Sequence, residues 1–550
     1  MNPPNRGPGF KPAGSGHYNT EERRVIKGGI LYQYKGTKLV LRPQFLFVQP
    51  SSTARRMMKL SSNYETEANL TTDEEAAKPP THKSEDDVVD WDGPDDPKNP
   101  LNWSGTKSFG HVVIVAVLSM VVNIASTMVA PAMEGVSRDL EITNMTLATL
   151  AVSIYLLGFA LGPLVISSLS EMYGRLIVYH VCNTIFVIFV VACALSKTTA
   201  QFIIFRFITG CAGAAPLSLG GGTIADVIPI EKRGAAAALF GLGPLLGPVL
   251  GPVIGGFIAE AKDWRWTFWV VAILGGAAGI GTFIFMRETH PNTLLERKAV
   301  YLRRATGNPH LRSKFDRGLT KQQIIVAALV RPTKLLIFSP IVLVLSIYVA
   351  LIFGLLYLLF ATFSMVFEGQ YGFSTGISGL AYLGLGVGEL LGLLLFGILS
   401  DRLLKAKMAA ANVQESKPEY RLVLMMWFPP VIGPGLFIYG WSAYYQVHWM
   451  VPIFGTFIVG FGAFFVIMPS QLYLVDLFGS DAAASALGAN ILLRSMFGAF
   501  LPLAGSHMYA TLNYGWGNTL LGFLALAFAP VPILFYRYGE WLRSRTTVKL

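Results

Sequence analysis

Hydrophobic and polar positions divide this chain into long blocks. Residues 1–107 are polar, rich in Pro, Gly, Ser and charge, and carry no sustained hydrophobic period. Beyond them, apolar runs long enough to cross a bilayer begin near Phe109, Met145, Leu176, Gln201, Gly234 and Thr267. They resume near Leu335, Ile377, Leu422, Val447, Ala482 and Leu520. The pattern predicts twelve transmembrane helices, six on each side of a polar segment, Arg287–Lys334. The expected fold class is an all-α membrane protein in two pseudo-symmetric six-helix bundles, 108–286 and 335–538. A disordered cytoplasmic tail over 1–107, a cytoplasmic central loop over 287–334 and a short cytoplasmic tail over 539–550 complete the organisation. No early basic segment leads into an apolar run, so no signal peptide is expected.

One apolar run has a second period. Gly241–Gly256 reads GLGPLLGPVLGPVIGG, with Gly243, Gly247, Gly251 and Gly255 four residues apart and Pro244, Pro248 and Pro252 following. Positions four apart share a helix face, so the glycines, with Gly256, form a stripe that lets another helix approach closely. Each interior proline removes a backbone donor at about 3 kcal/mol. Neighbouring helices can re-satisfy such groups inside a bilayer. The stretch predicts a bendable transmembrane helix held against a partner, where a lone GxxxG would mark only an ordinary packing seam.

Composition agrees with a lipid setting: 53% of residues are hydrophobic and 14% charged, against about 25% charged in soluble proteins. The net charge of +11 reflects basic loops, with no nucleic-acid partner expected. Cys182, Cys193 and Cys211 lie in apolar runs and give neither a disulfide framework nor a metal spacing. His111, His180 and His507 build no metal site either.

Lysine and arginine set the orientation. With both termini cytoplasmic, inner connections carry Arg175, Lys232, Arg233, Arg402, Lys405, Lys407, Lys417 and Arg421, and the central segment is densely basic. Outer connections carry only Arg138, Lys197, Lys262 and Arg265. The halves also repeat. SLSEMYGR (Ser168–Arg175) closes the second run and GILSDR (Gly397–Arg402) the eighth, while Asp226 and Asp476 end the fourth and tenth. Paired halves are the signature of secondary transporters with a site between the repeats.

These residues resemble a known family. The glycine–proline stretch is similar to the antiporter motif of the major facilitator superfamily. LSEMYGR, FRFITGCAGAA, IADVIPIEKRG and DWRWTFW resemble its fungal twelve-span drug:proton antiporters. The lead-in DWDGPDDPKNPLNWS and LGANILLRSMFGAFLPL resemble the polyamine- and cycloheximide-resistance-like branch. The likeness runs from about Asp90 to the C-terminus. It implies the major facilitator fold and a proton-driven efflux pump of the plasma membrane working by alternating access. Its cargo would be drugs, toxins or secondary metabolites, and its only energy source the proton gradient, with no cofactor. The chain departs from the family pattern at Ser167, where a glycine opens the mouth motif, and at Leu176, where a second basic residue is usual.

Candidate residues follow. Arg206 sits inside an apolar run, where a central arginine costs about 2.5–3.5 kcal/mol and must face a cavity or partner. The resemblance places it, with Thr209, Gly210 and Gly213, in a proton-coupling motif; the alternative is an arginine bonded to helix carbonyls. Glu389 lies well within the eighth run, a candidate proton carrier or cation-binding site, or else a neutral, hydrogen-bonded packing residue. Arg494 is embedded in the eleventh, where it balances an acid, lines the cavity or packs structurally. Glu171, Gly174, Arg175 and Asp226, with Gly397, Asp401 and Arg402, are candidates for a cytoplasmic gate latched by ion pairs. Asn123, Tyr348, Tyr357, Gln471, Tyr473 and Asn490 are candidate cavity contacts, each also readable as helix packing. Asn144 heads an outer glycosylation sequon close to the membrane.

No HExxH, GxSxG or Walker A lysine occurs, so no enzyme or ATP-driven pump is expected. The expected partners are small-molecule cargo, protons and the bilayer, with the chain acting as a monomer. A polyamine exporter, a transporter-like sensor and an importer of the same fold remain alternatives.

Overall fold

The computed structural model describes residues 24–26, 29–34, 37–41, 87–229, 232–316, 318, 320–411 and 417–545. Two compact units divide at His82 and Lys83. In the first unit, β1 (Arg24–Ile26), β2 (Gly29–Tyr34) and β3 (Thr37–Leu41) form an antiparallel sheet, with Arg24 opposite Leu31 and Tyr34 opposite Thr37. These strands fall inside the segment expected to lack structure. Their β-branched and aromatic residues, punctuated by Gly28–Gly29 and Gly36, are hairpin signals that the polar average of the region hides.

Among the described residues, the second unit holds twelve helices long and apolar enough to span a membrane. Spans 1 to 6 are Gly105–Thr127, Met145–Tyr173, Arg175–Ala194, Thr199–Val227, Arg233–Ala261 and Trp264–Phe285. Spans 7 to 12 are Pro340–Tyr371, Thr375–Ala410, Pro418–Tyr444, Met450–Gly479, Ala482–Phe500 and Leu503–Ser544. Gly479, at φ 60, separates spans 10 and 11 within one helical run. Asn513, at φ 55, breaks the following helix, so the last crossing begins after it. An even number of crossings puts both ends of the spanning region and the described residues between spans 6 and 7 on one side, here called the loop side.

Span 5 stays helical through Pro244, Pro248 and Pro252. Its glycine stripe lies along span 1. A methyl group at Gly243 would collide with Ser119 and Met120, at Gly247 with Asn123, at Gly251 with Thr127 and at Gly255 with Met128. The contacts step four residues at a time along span 5 and, from Ser119 through Asn123 to Thr127, along span 1, the register of two small-residue ridges in contact. Pro252 has no N–H for the Pro248 carbonyl, and the Thr127 hydroxyl donates to that oxygen at 3.0 Å.

The same helix reaches the other half on the side opposite the loops. Gly256 packs on the Thr375 carbonyl and Gly379 on the Pro252 carbonyl. Glu260 accepts from the Ser374 hydroxyl at 3.0 Å and the Gly376 N–H at 2.6 Å. These contacts seal the two halves together there.

On the loop side, residues 87–104 are ordered, although the sequence places them in the tail. Asp96 accepts from the Asp92 and Lys98 N–H groups, and Asn102 donates to the Pro94 and Asp96 carbonyls. Short polar side chains thus close a turn that the prolines keep from becoming helix. This strap lies against the central segment. β4 (Val88–Val89) pairs in parallel with β5 (Arg312–Ser313), Lys314 binds Asp90, and Lys298 binds Asp92. The central segment is itself largely helical, with Pro291–Thr306 and Lys321–Phe338. The second of these opens with a Thr320/Gln323 capping box.

Candidate functional site

Arg206 is buried where spans 1, 2 and 4 meet, away from the loop side. It donates to the carbonyls of Ala125 (2.7 Å), Ser126 (3.0 Å), Val152 (3.0 Å) and Ala151 (3.4 Å). Ala125 and Ser126 lie in the last turn of span 1, whose carbonyls have no intrahelical partner and carry partial negative charge. The guanidinium also lies 4.8 Å from the Tyr155 ring centroid. Glycines clear the way for it: Gly158 packs on Phe207 and Cys211, and Gly210 on the Tyr155 carbonyl. Among the described residues no carboxylate pairs with Arg206. Its geometry is that of a staple between helix ends.

The loop-side gate is a duplicated unit. In the first half, Arg175 binds Asp226 at 3.2 Å and the Ser170 hydroxyl at 2.9 Å. In the second, Arg421 binds Asp476 at 3.0 Å, the Ser400 hydroxyl at 3.3 Å and Asp401 at 3.6 Å. Each arginine lies at the start of the third helix of its half, each serine in the loop-side part of the second, and each aspartate near the end of the fourth.

The structure redistributes the sequence candidates. Glu171 is exposed and lies outside the network. Arg402 is exposed as well, and Arg421, at the start of span 9, supplies the cation expected from it. Gly397 has open space around its α-carbon and packs nothing closely.

Glu288 was missed. Its carboxylate accepts from the N–H groups of Arg175 (2.9 Å), Leu176 (3.3 Å), Thr289 (3.0 Å) and His290 (2.9 Å). It thereby caps the positive N-terminus of span 3 from the end of span 6. Gly174, at φ 95, leaves the room for it, because a Cβ there would strike the Glu288 carboxylate. An acid just after an apolar run, facing a helix start more than a hundred residues away, leaves no local signal.

Of the cavity candidates, Tyr357 stands out. From the middle of span 7 its hydroxyl lies 3.4 Å from that of Ser126 in span 1, a polar contact between the halves. It also lies within electrostatic reach of Arg494, Glu389 and Arg206. Asn490 is buried in span 11 and gives Nδ2 to Ser346 at 3.4 Å. Asn123 is a packing residue, bonded to the Ser119 carbonyl and wedged against Gly247. Tyr348 stacks on Phe528 within the second half. Tyr473 is buried there too, and Gln471 is half-buried. Asn144 caps span 2 through its Oδ1 and is exposed.

Glu389 is buried in the middle of span 8 and makes no ion pair or hydrogen bond among the described residues. Gly388 packs on Phe457 and Gly460 on Leu385, so span 8 and span 10 touch backbone to backbone in the turn before it.

The family model of the Major Facilitator Superfamily matches residues 115–502. The chain is 56% identical over 463 residues to MFS transporter fsa7 of Fusarium sp. (strain FN080326), covering 84% of this chain and 90% of that one. It is 50% identical over 463 residues, with the same coverages, to the trichosetin biosynthesis cluster MFS transporter of Gibberella fujikuroi (strain CBS 195.34 / IMI 58289 / NRRL A-6831). Among solved structures it is similar to a D-xylose–proton symporter, with TM-score 0.59 and 17% identity over 78% of this chain and 97% of that one.

Proposed function

The chain belongs to the major facilitator superfamily, and we propose that it is a proton-coupled secondary transporter exporting drugs, toxins or secondary metabolites by alternating access. The observation that carries this reading is Glu389, a buried, unpaired carboxylate in the middle of span 8, within electrostatic reach of Tyr357, which contacts Ser126 across the halves. A carboxylate so placed can take a proton from one side and release it to the other as the halves rock. The Arg175 and Arg421 units hold the loop-side ends of each half as rigid bodies during that motion. The Glu260 contacts close the opposite side and break when it opens.

The basic loop side is cytoplasmic in this reading, with both termini inside and the protein in the plasma membrane as a monomer. One charge crossing 100 mV supplies about 2.3 kcal/mol. That concentrates a neutral cargo roughly fiftyfold per proton. Secondary-metabolite cargo is supported by a half-identical relative that is named for a biosynthesis cluster.

The test is an accumulation and resistance screen in a pump-deficient fungal strain, with and without a protonophore. The expected result is reduced accumulation of a subset of toxic compounds, abolished by the protonophore. Unchanged accumulation of every compound, or efflux indifferent to the protonophore, overturns the proposal.

A further inference from the structure

Two arginines lie deep among the spans, and the fold treats them oppositely. Arg206 donates to four backbone carbonyls. Arg494, in span 11, donates to no group among the described residues, and its Nε is a buried donor without an acceptor. Arg494 is half-buried and only its Nε is fully enclosed; leaving that donor unpaired is a cost that a structural arginine avoids by finding carbonyls.

Its surroundings give the unused donors a direction. The Arg494 Cζ lies 5.1 Å from the centroid of the Phe353 ring. A guanidinium over a ring face makes no hydrogen bond to it and keeps its donors for other partners, and its planar fork can grip a carboxylate with two parallel bonds. One turn earlier on the same face, Asn490 keeps its Oδ1 without a donor. One turn later, Gly498 is where Leu156 of the first half meets Phe353. The Phe353 ring in turn lies 4.9 Å from the ring of Tyr357, which contacts Ser126 across the halves. Arg494 therefore stands at the seam between the halves, where alternating access places cargo. Glu389 does not neutralise it, since no ion pair joins them among the described residues.

We propose that Arg494 is the headgroup anchor for an anionic, amphipathic cargo. The guanidinium edge holds a carboxylate or comparably acidic oxygen, and Phe353, Tyr357 and Leu156 wall the apolar body. This names the cargo class of the transporter proposed above and rests on that reading for its physiological sense. A cationic cargo, by contrast, would meet an uncompensated positive charge at the same place.

The experiment uses the full chain in lipid nanodiscs and three fluorescent probes with one apolar body: dansylaminoundecanoate, its methyl ester and the matching primary amine. Empty nanodiscs are subtracted for partition into lipid. The carboxylate is expected to bind at least about tenfold more tightly than the ester or the amine, the ratio of one charged hydrogen-bond pair. Arg494→Met is expected to erase that preference while the ester still binds. Arg494→Lys keeps the charge without the fork and is expected to retain a reduced preference. Equal binding of the three probes by the unmodified protein overturns the proposal without any variant. So does an undiminished preference in Arg494→Met. Transport in sealed vesicles under an imposed pH difference separates the two readings. Headgroup preference without proton-driven movement defeats the export reading and keeps the anchor. Proton-driven movement of all three probes alike does the reverse.

Discussion

The hydroxyl of Thr127 donates to the carbonyl of Pro248 at 3.0 Å. The acceptor is the group that Pro252, lacking an N–H, leaves open four residues on. A side chain of span 1 thus completes the hydrogen-bond ladder of span 5, and the proline-bearing helix stays regular because its partner is there. Thr127→Val is expected to lower stability by roughly 1 kcal/mol, the scale of interhelical bonds in membranes. Gly255→Ala, which drives a methyl into the Met128 carbonyl, is expected to cost more, and Gly241→Ala, with open space around it, nothing measurable. Thermal unfolding in detergent ranks the three, and equal effects at Gly241 and Gly255 would sink the account of the stripe.

Arg206 is predicted to act first on folding. Arg206→Ala leaves the two carbonyls at the end of span 1 without a donor and removes the tie to span 2, and is expected to cost about 3 kcal/mol or more. The measurement is folded yield and melting temperature alongside efflux. Normal stability with abolished efflux would instead assign the residue to proton coupling.

At the loop side, Glu171→Gln is expected to be neutral in stability and transport, because the side chain is exposed and outside the network. Glu288→Ala removes the acceptor of four N–H groups and is expected to cost about 2 kcal/mol or more. Arg175→Gln should impair transport more than Arg421→Gln, since it strands the largely buried Asp226, whereas Asp476 is open to solvent. A large effect at Glu171 together with none at Glu288 would reverse this assignment.

Glu389→Gln is expected to keep cargo binding and to uncouple its movement from the pH gradient. Counterflow exchange without a gradient, compared with gradient-driven uptake in the same vesicles, reads the two apart. An unchanged pH profile would make Glu389 a packing residue.

The strap is predicted to be pH-sensitive only in acid. The Lys314 ammonium bonded to Asp90 holds its carboxyl below the usual carboxylate range. A group depressed on folding contributes fully above its unfolded value, about 3.9, and loses that contribution as pH falls through the folded value. Hydrogen exchange of residues 87–104 should therefore be flat from neutral pH to about 5, after correction for intrinsic rates, and rise below. Asp90→Asn should raise it modestly at neutral pH, as an exposed pair is worth well under about 1 kcal/mol. An Asp90→Asn strap as protected as the original would remove the pair from the docking.

The sequence by itself determined what depends on composition along one dimension. Twelve apolar runs, the four-residue glycine period and the paired ends at Arg175–Asp226 and Asp476 were legible because bilayer thickness and helical pitch act on neighbouring positions. Only the tertiary structure decided which embedded charge is satisfied. Arg206 and Arg494 read alike as arginines in apolar runs, and their difference is whether a helix end with open carbonyls stands opposite. It also decided that Arg421 replaces Arg402 and that Glu288, invisible in its own neighbourhood, caps span 3. A buried polar group is settled by the partner that reaches it, and those partners come from elements tens to hundreds of residues away, brought together only when the helices pack.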